Sequence, residues 1–205
     1  MDKLVAKSLY TAAGWGSLDE ITRFLANGVD VDQRFGVGMT ALMNAAYAGH
    51  TEAVRLLLEA GASVNLANPH GVTALAAAAR HANGEVVELL LARGADLELE
   101  NEQGETPLLV AATYGLASMV RQLLAAGANP HHRSRLGWTS LMCATFNQRE
   151  GYFPRDSMLA LIEAGVAVNA CADAHTSAYA LAFRLKDKRK LELLVRYGAT
   201  SRASV

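Results

Sequence analysis

Apolar residues recur along the chain in short clusters with helical spacing. Val54, Leu57 and Leu58 share one helix face, and Val87, Leu90 and Leu91 share another. Each cluster is preceded by a shorter run rich in alanine, closed by Ala45 and Ala46, Ala78 and Ala79, or Ala111 and Ala112. A break separates the two runs, as at Ala48-Gly49-His50 and Tyr114-Gly115-Leu116. Gly61, Gly94, Gly127, Gly165 and Gly198 follow the second run, where a left-handed residue ends a helix. An extended Val, Leu or Asn-Pro segment then leads onward. The pattern predicts helix, turn, helix and projecting hairpin, and it repeats. Gly38, Gly71, Gly104 and Gly137 lie 33 residues apart, and so do Gly28, Gly61, Gly94 and Gly127. Two interleaved series in phase are the signature of a repeat architecture.

Each unit carries its own start signal. The Thr of each Gly-x-Thr stands just before an apolar run, where its hydroxyl caps the first turn. Pro107 follows one of them at the first helical position, where a missing N–H costs nothing. The expected units are about 1–32, 33–65, 66–98, 99–131, 132–169 and 170–205, forming one domain whose first and last repeats are caps. The first keeps Leu9, Ala12, Ala13, Gly16, Phe24 and Leu25 in register, with Lys3, Lys7, Asp19, Glu20 and Arg23 suited to water. The last keeps His175-Thr176-Ser177 and Leu193-Leu194 but loses the glycine turn. Lys186, Lys188, Arg189, Lys190, Arg196 and Arg202 make that end basic, which reads as a solvated cap ahead of a nucleic-acid patch. The fifth repeat is longer, with 38 residues from Gly127 to Gly165. Its extra residues fall in 147–156, where Gly151 and Pro154 break any helix. Tyr152 and Phe153 there either meet a partner or fold back on their own repeat.

Composition narrows the functional classes. The 205 residues are 51% hydrophobic, 19% charged and 6% aromatic, with only four Pro, a core-forming and helix-forming balance. A net charge of −1 argues against nucleic acid as the main ligand. No window of 18 apolar residues predicts membrane insertion, and the opening Met-Asp-Lys-Leu-Val-Ala-Lys does not read as a signal peptide. Two Cys make no disulfide framework, so a reduced, cytoplasmic setting is expected. The chain has no phosphate-cradling loop, HExxH, GxSxG or dinucleotide fingerprint. His131, His132, Cys143, Cys171 and His175 do not have zinc-ligand spacing, and Cys143 beside Ala144 reads as a buried thiol. Asp96, Glu98, Glu100, Glu102 and Glu105 crowd a hairpin that offers no catalytic pocket. The expectation is a non-enzyme without cofactor or metal.

Gly104-Glu105-Thr106-Pro107-Leu108, Gly49-His50 and Gly94-Ala95-Asp96, with the paired alanines and leucines, resemble the ankyrin repeat family. The resemblance covers essentially the whole chain. It implies an all-α, ankyrin-like solenoid of about six helix-turn-helix repeats with projecting β-hairpin loops. The family's His after Leu is replaced by Met43, Ala76, Leu109 and Met142, so its usual hydrogen-bond network between repeats is expected to give way to core packing.

The resemblance also implies a concave face built from hairpins and first helices. At helix spacings of about 8–10 Å, six units give a groove roughly 50 Å long, ample for a protein partner. Carried onto this chain, its hairpin positions include Val37, Met39, His70, Val72, Glu102, Gln103, Glu105, Arg135, Leu136 and Trp138. The helix positions are Trp15, Tyr47, Arg80, His81, Thr113, Tyr114, Phe146 and Asn147. Trp15, Tyr47, Tyr114, Trp138 and Phe146 gather here although aromatics are scarce, and interfaces favour Trp, Tyr and Arg. The reverse reading buries Trp138 and Phe146 between repeats. The acids from Asp96 to Glu105 also face the basic run from His131 to Arg135 if adjacent hairpins lie side by side. The expected function is to bind an unidentified protein partner as a monomer. An inhibitor or immunity protein blocking a toxin or enzyme, and a small-ligand binder, stand as alternatives.

Overall fold

The computed structural model describes residues 8–147 and 152–201. Lys3, Lys7, Gly151 and Arg202, named above, lie outside the described residues. Within them are twelve helices. The first helices of the repeats are α1 (Leu9–Trp15), α3 (Ala41–Ala48), α5 (Ala74–Arg80), α7 (Pro107–Thr113), α9 (Ser140–Phe146) and α11 (Ala178–Arg184). The second helices are α2 (Leu18–Ala26), α4 (Thr51–Glu59), α6 (Gly84–Ala92), α8 (Ala117–Ala125), α10 (Arg155–Glu163) and α12 (Lys188–Arg196). First helices have seven or eight residues and second helices nine, too short to stand alone in water. Burial between neighbours supplies what local helix formation lacks.

The chain forms two compact units, Met1–Leu99 and Glu100–Val205. In the first, α1, α3 and α5 pack in one row and α2, α4 and α6 in another. Leu9, Ile21, Leu42, Leu57, Leu75 and Leu90 are fully buried there, and the recurring alanines let the first row close up. In the second unit α7 packs on α9, α9 on α11, and α8 on α10, around Leu108, Leu123, Leu141 and Leu161.

Three of the four Gly-x-Thr threonines cap as expected. Thr40, Thr73 and Thr139 accept the amides of Met43, Ala76 and Met142 at 3.2–3.3 Å. Thr106 makes no such bond. The turn between the paired helices needs a left-handed residue, and Gly16, Gly49 and Gly115 supply it. A Cβ on each would come within 3 Å of the following repeat's His50, Asn83 or Tyr152 side chain. At the equivalent points of two other repeats, Ala82 and Lys186 hold φ values of 58° and 54°.

Met43, Ala76, Leu109 and Met142 are buried. Packing is nevertheless not alone in joining the repeats, because turn side chains of one repeat reach helix-end carbonyls of the one before. His50 Nε2 donates to Gly14 O at 3.1 Å, Asn83 Nδ2 to Ala46 O at 2.8 Å and Asn147 Nδ2 to Thr113 O at 2.9 Å. The terminal basic cluster needs one correction. Lys190 is 2% exposed, and its Nζ donates to Thr145 O and Asn147 O at 2.8 Å each.

The hairpins are mostly tight loops. Isolated bridges join Phe35 to Met39 and Arg133 to Thr139. Among the described residues only Cys171–Asp173 (β1) and Thr176–Ser177 (β2) pair as strands.

Candidate functional site

In the second unit, two hairpins are shaped by side-chain acceptors. Asn101 Oδ1 takes the amides of Gln103 and Glu105 at 2.9 Å each, and Ser134 Oγ takes the amide of Trp138 at 3.3 Å. The hairpins then dock on one another. Arg135 N donates to Gln103 O at 2.9 Å, and His132 Nε2 donates to Gly104 O at 3.0 Å. Gly104 has φ 71°, and a Cβ there would stand 2.7 Å from Arg135 N, so both conformation and space demand glycine. The facing charges are used sparingly. His132 lies 3.5 Å from Glu100, while Arg133 donates to the carbonyls of Gly137 and Cys171.

Within the same repeat, Trp138 on its hairpin meets Phe146 at the end of α9. Their centroids are 5.0 Å apart with planes at 76°, the edge-to-face arrangement that the ring quadrupoles favour. Glu102, Glu105, Arg135, Trp138 and Phe146, all chosen from sequence, line one groove of about 510 Å³. Thr113, Leu136 and Cys143 also line it. Trp138 is half-buried and Phe146 exposed, so neither is lost between repeats. Leu136 is 74% exposed, a large apolar side chain left in water at the groove.

Lys190 fixes one wall. Its two acceptors, Thr145 O and Asn147 O, flank Phe146 in sequence, so the buried ammonium pins the backbone that carries the ring. It occupies the helix position held by Glu20, Ala53, Val86, Met119 and Ser157 in earlier repeats. Nothing in that row of the sequence gave a sign of a cation with a task.

The remaining candidates are dispersed. Tyr47 meets His81 in the first unit with centroids 4.0 Å apart and planes tilted by 56°. Burial, then the charge of Arg80, holds the His81 imidazole below its usual range. Trp15 is exposed at the end of α1. His70 and Val72 sit on one hairpin, where both amides donate to Asn68 Oδ1 at 2.9 Å. Tyr114 is exposed at the end of α7. Tyr152 and Phe153 fold back on the chain. The Tyr152 hydroxyl donates to Gly115 O at 2.6 Å, and Arg189 lies 5.4 Å over the Phe153 ring.

The groove is not arranged for nucleophilic chemistry. Burial pushes the Cys143 thiol up to about 12, a hydrogen bond with Thr113 pulls the other way, and the Glu105 charge raises it further. Such a thiol is protonated at neutral pH and a poor nucleophile. Among the described residues no three His, Cys, Asp or Glu side chains come together as a metal site, and no helix is long and apolar enough to cross a membrane.

A family model for ankyrin repeats in three copies matches residues 9–101 and 85–170. Among solved structures, the human ASB11 ankyrin repeat domain is similar with a TM-score of 0.83 and 28% identity, over 95% of this chain and 85% of that one. An ankyrin repeat domain from Acinetobacter baumannii AYE has a TM-score of 0.80 and 30% identity, over 94% of this chain and 98% of that one. No curated protein matches the sequence. With its 33-residue period, paired short helices and left-handed turns, and with the family match spanning most of its length, the chain belongs to the ankyrin repeat family.

Proposed function

We propose that the chain is a non-catalytic binding module whose second unit receives a partner protein in the Trp138–Phe146 groove. Ankyrin repeats are generally protein–protein interaction modules and typically serve as non-catalytic scaffolds. The observation carrying this reading is the groove itself, where an ordered aromatic pair lies open beside acidic and basic side chains. Binding desolvates the rings and Leu136, and the hairpin charges set the partner's register. The two free cysteines fit a reducing, cytoplasmic setting.

The test is affinity capture of the partner followed by titration against variants. Trp138→Ala and Phe146→Ala are each expected to weaken binding about tenfold or more, as central aromatic contacts do. Unfolding midpoints should change little, because both side chains retain solvent contact. Unchanged affinity in both variants would refute the groove as the binding centre.

A further inference from the structure

Resting on that reading, we infer that the groove recognises an arginine side chain on an extended segment of the partner. The guanidinium stacks on the face of one ring of the Trp138–Phe146 pair, whose planes lie at 76°, and meets the Glu105 carboxylate. Glu105 is held in place by its own hairpin. Its backbone amide and its Oε2 both bond the Asn101 side chain at 2.9 Å, which fixes the carboxylate at the groove. Glu105 is only half-buried and has no ion-pair partner among the described residues. The ready internal cation, Arg135, lines the same groove but makes no ion pair with Glu105 and lies over neither ring among the described residues.

The groove therefore combines an ordered carboxylate and exposed ring surface, with no cation paired to either among the described residues. A planar guanidinium suits both surfaces, since it stacks on aromatic faces and forks onto a carboxylate, whereas an ammonium does only part of this. Its methylene stem covers the apolar wall that Leu136 extends.

A random peptide library selected on the full chain tests this, with synthesised winners titrated by fluorescence anisotropy. The expected winners carry arginine. Their affinity falls about tenfold when that arginine becomes norleucine, and similarly on Glu105→Gln protein, as expected for loss of a charge-assisted contact. The norleucine peptide is read on the unaltered chain, so the result does not depend on the variant folding. Winners that lose binding on Trp138→Ala but are indifferent to both charge changes overturn the arginine assignment and leave the groove reading standing. Winners indifferent to Trp138→Ala overturn both.

Discussion

Thr40, Thr73 and Thr139 each satisfy a helix amide, whereas the Thr106 hydroxyl is buried with no hydrogen-bond partner among the described residues. The same residue at the same point of the repeat therefore has opposite energetic signs. Removing a cap costs about 1 kcal/mol, while removing an unsatisfied buried hydroxyl at constant shape recovers a desolvation cost of similar size. Thr139→Val is expected to lower the urea midpoint and Thr106→Val to raise it, each by about 1 kcal/mol of stability. A fall in both would show that Thr106 has a partner after all. The Gly-x-Thr motif was legible in sequence because the helix start lies within a few residues of it. The failure at Thr106 was not, because it depends on the orientation of one hydroxyl.

Lys190 belongs to the scale of elements, since it ties α12 to the end of α9. The long connection after α9 breaks the usual turn, and the α9 carbonyls find a donor one repeat later. Lys190→Met keeps the stem volume but takes this donor from two carbonyls, at an expected cost of about 2–4 kcal/mol in chemical denaturation. Burial holds the Lys190 ammonium below its usual range, against the pull of Asp187 3.7 Å away. The unfolded chain therefore binds this proton more tightly. Stability from this residue is fullest above the ordinary lysine value near 10.5 and declines as pH falls through the lower folded value. The stability difference between wild type and Lys190→Met should widen as pH is raised toward that ordinary value. A constant difference would show that the folded-state proton affinity is unperturbed. Helices, turns and caps were readable because 33-residue spacing repeats local chemistry. Lys190 was not, because a basic run reads as solvated until the fold shows which member points inward.

Across the whole molecule, charge contributes little to stability. Nineteen basic and 20 acidic residues nearly cancel, and most ion pairs, such as Arg55–Glu52, Arg93–Glu59 and Arg155–Asp156, are exposed. Such pairs are screened by salt and contribute little. Raising NaCl from about 0.05 to about 0.5 M is expected to shift unfolding free energy by less than about 1 kcal/mol. A much larger loss would mean that charge networks carry the fold. Of the candidate surface, five residues do converge on one groove, because hairpin and helix-end positions recur at fixed points of each repeat. Tyr152 and Phe153 were equally prominent in sequence and lie folded back on Gly115 and Arg189.

The sequence by itself determined the repeat, its paired helices, its left-handed turns and its family, since each follows from local periodicity and backbone preference. Tertiary structure alone decided the rest: that Trp138 meets Phe146 edge to face beside a groove, that Glu105 lines that groove with its carboxylate bonded to Asn101, and that Lys190 turns inward. Only the Lys190 contact joins residues far apart in the chain; Trp138 and Phe146, like Asn101 and Glu105, are near in sequence and meet because of how hairpin and helix pack. Their energies come from burial and geometry, which a one-dimensional period does not encode.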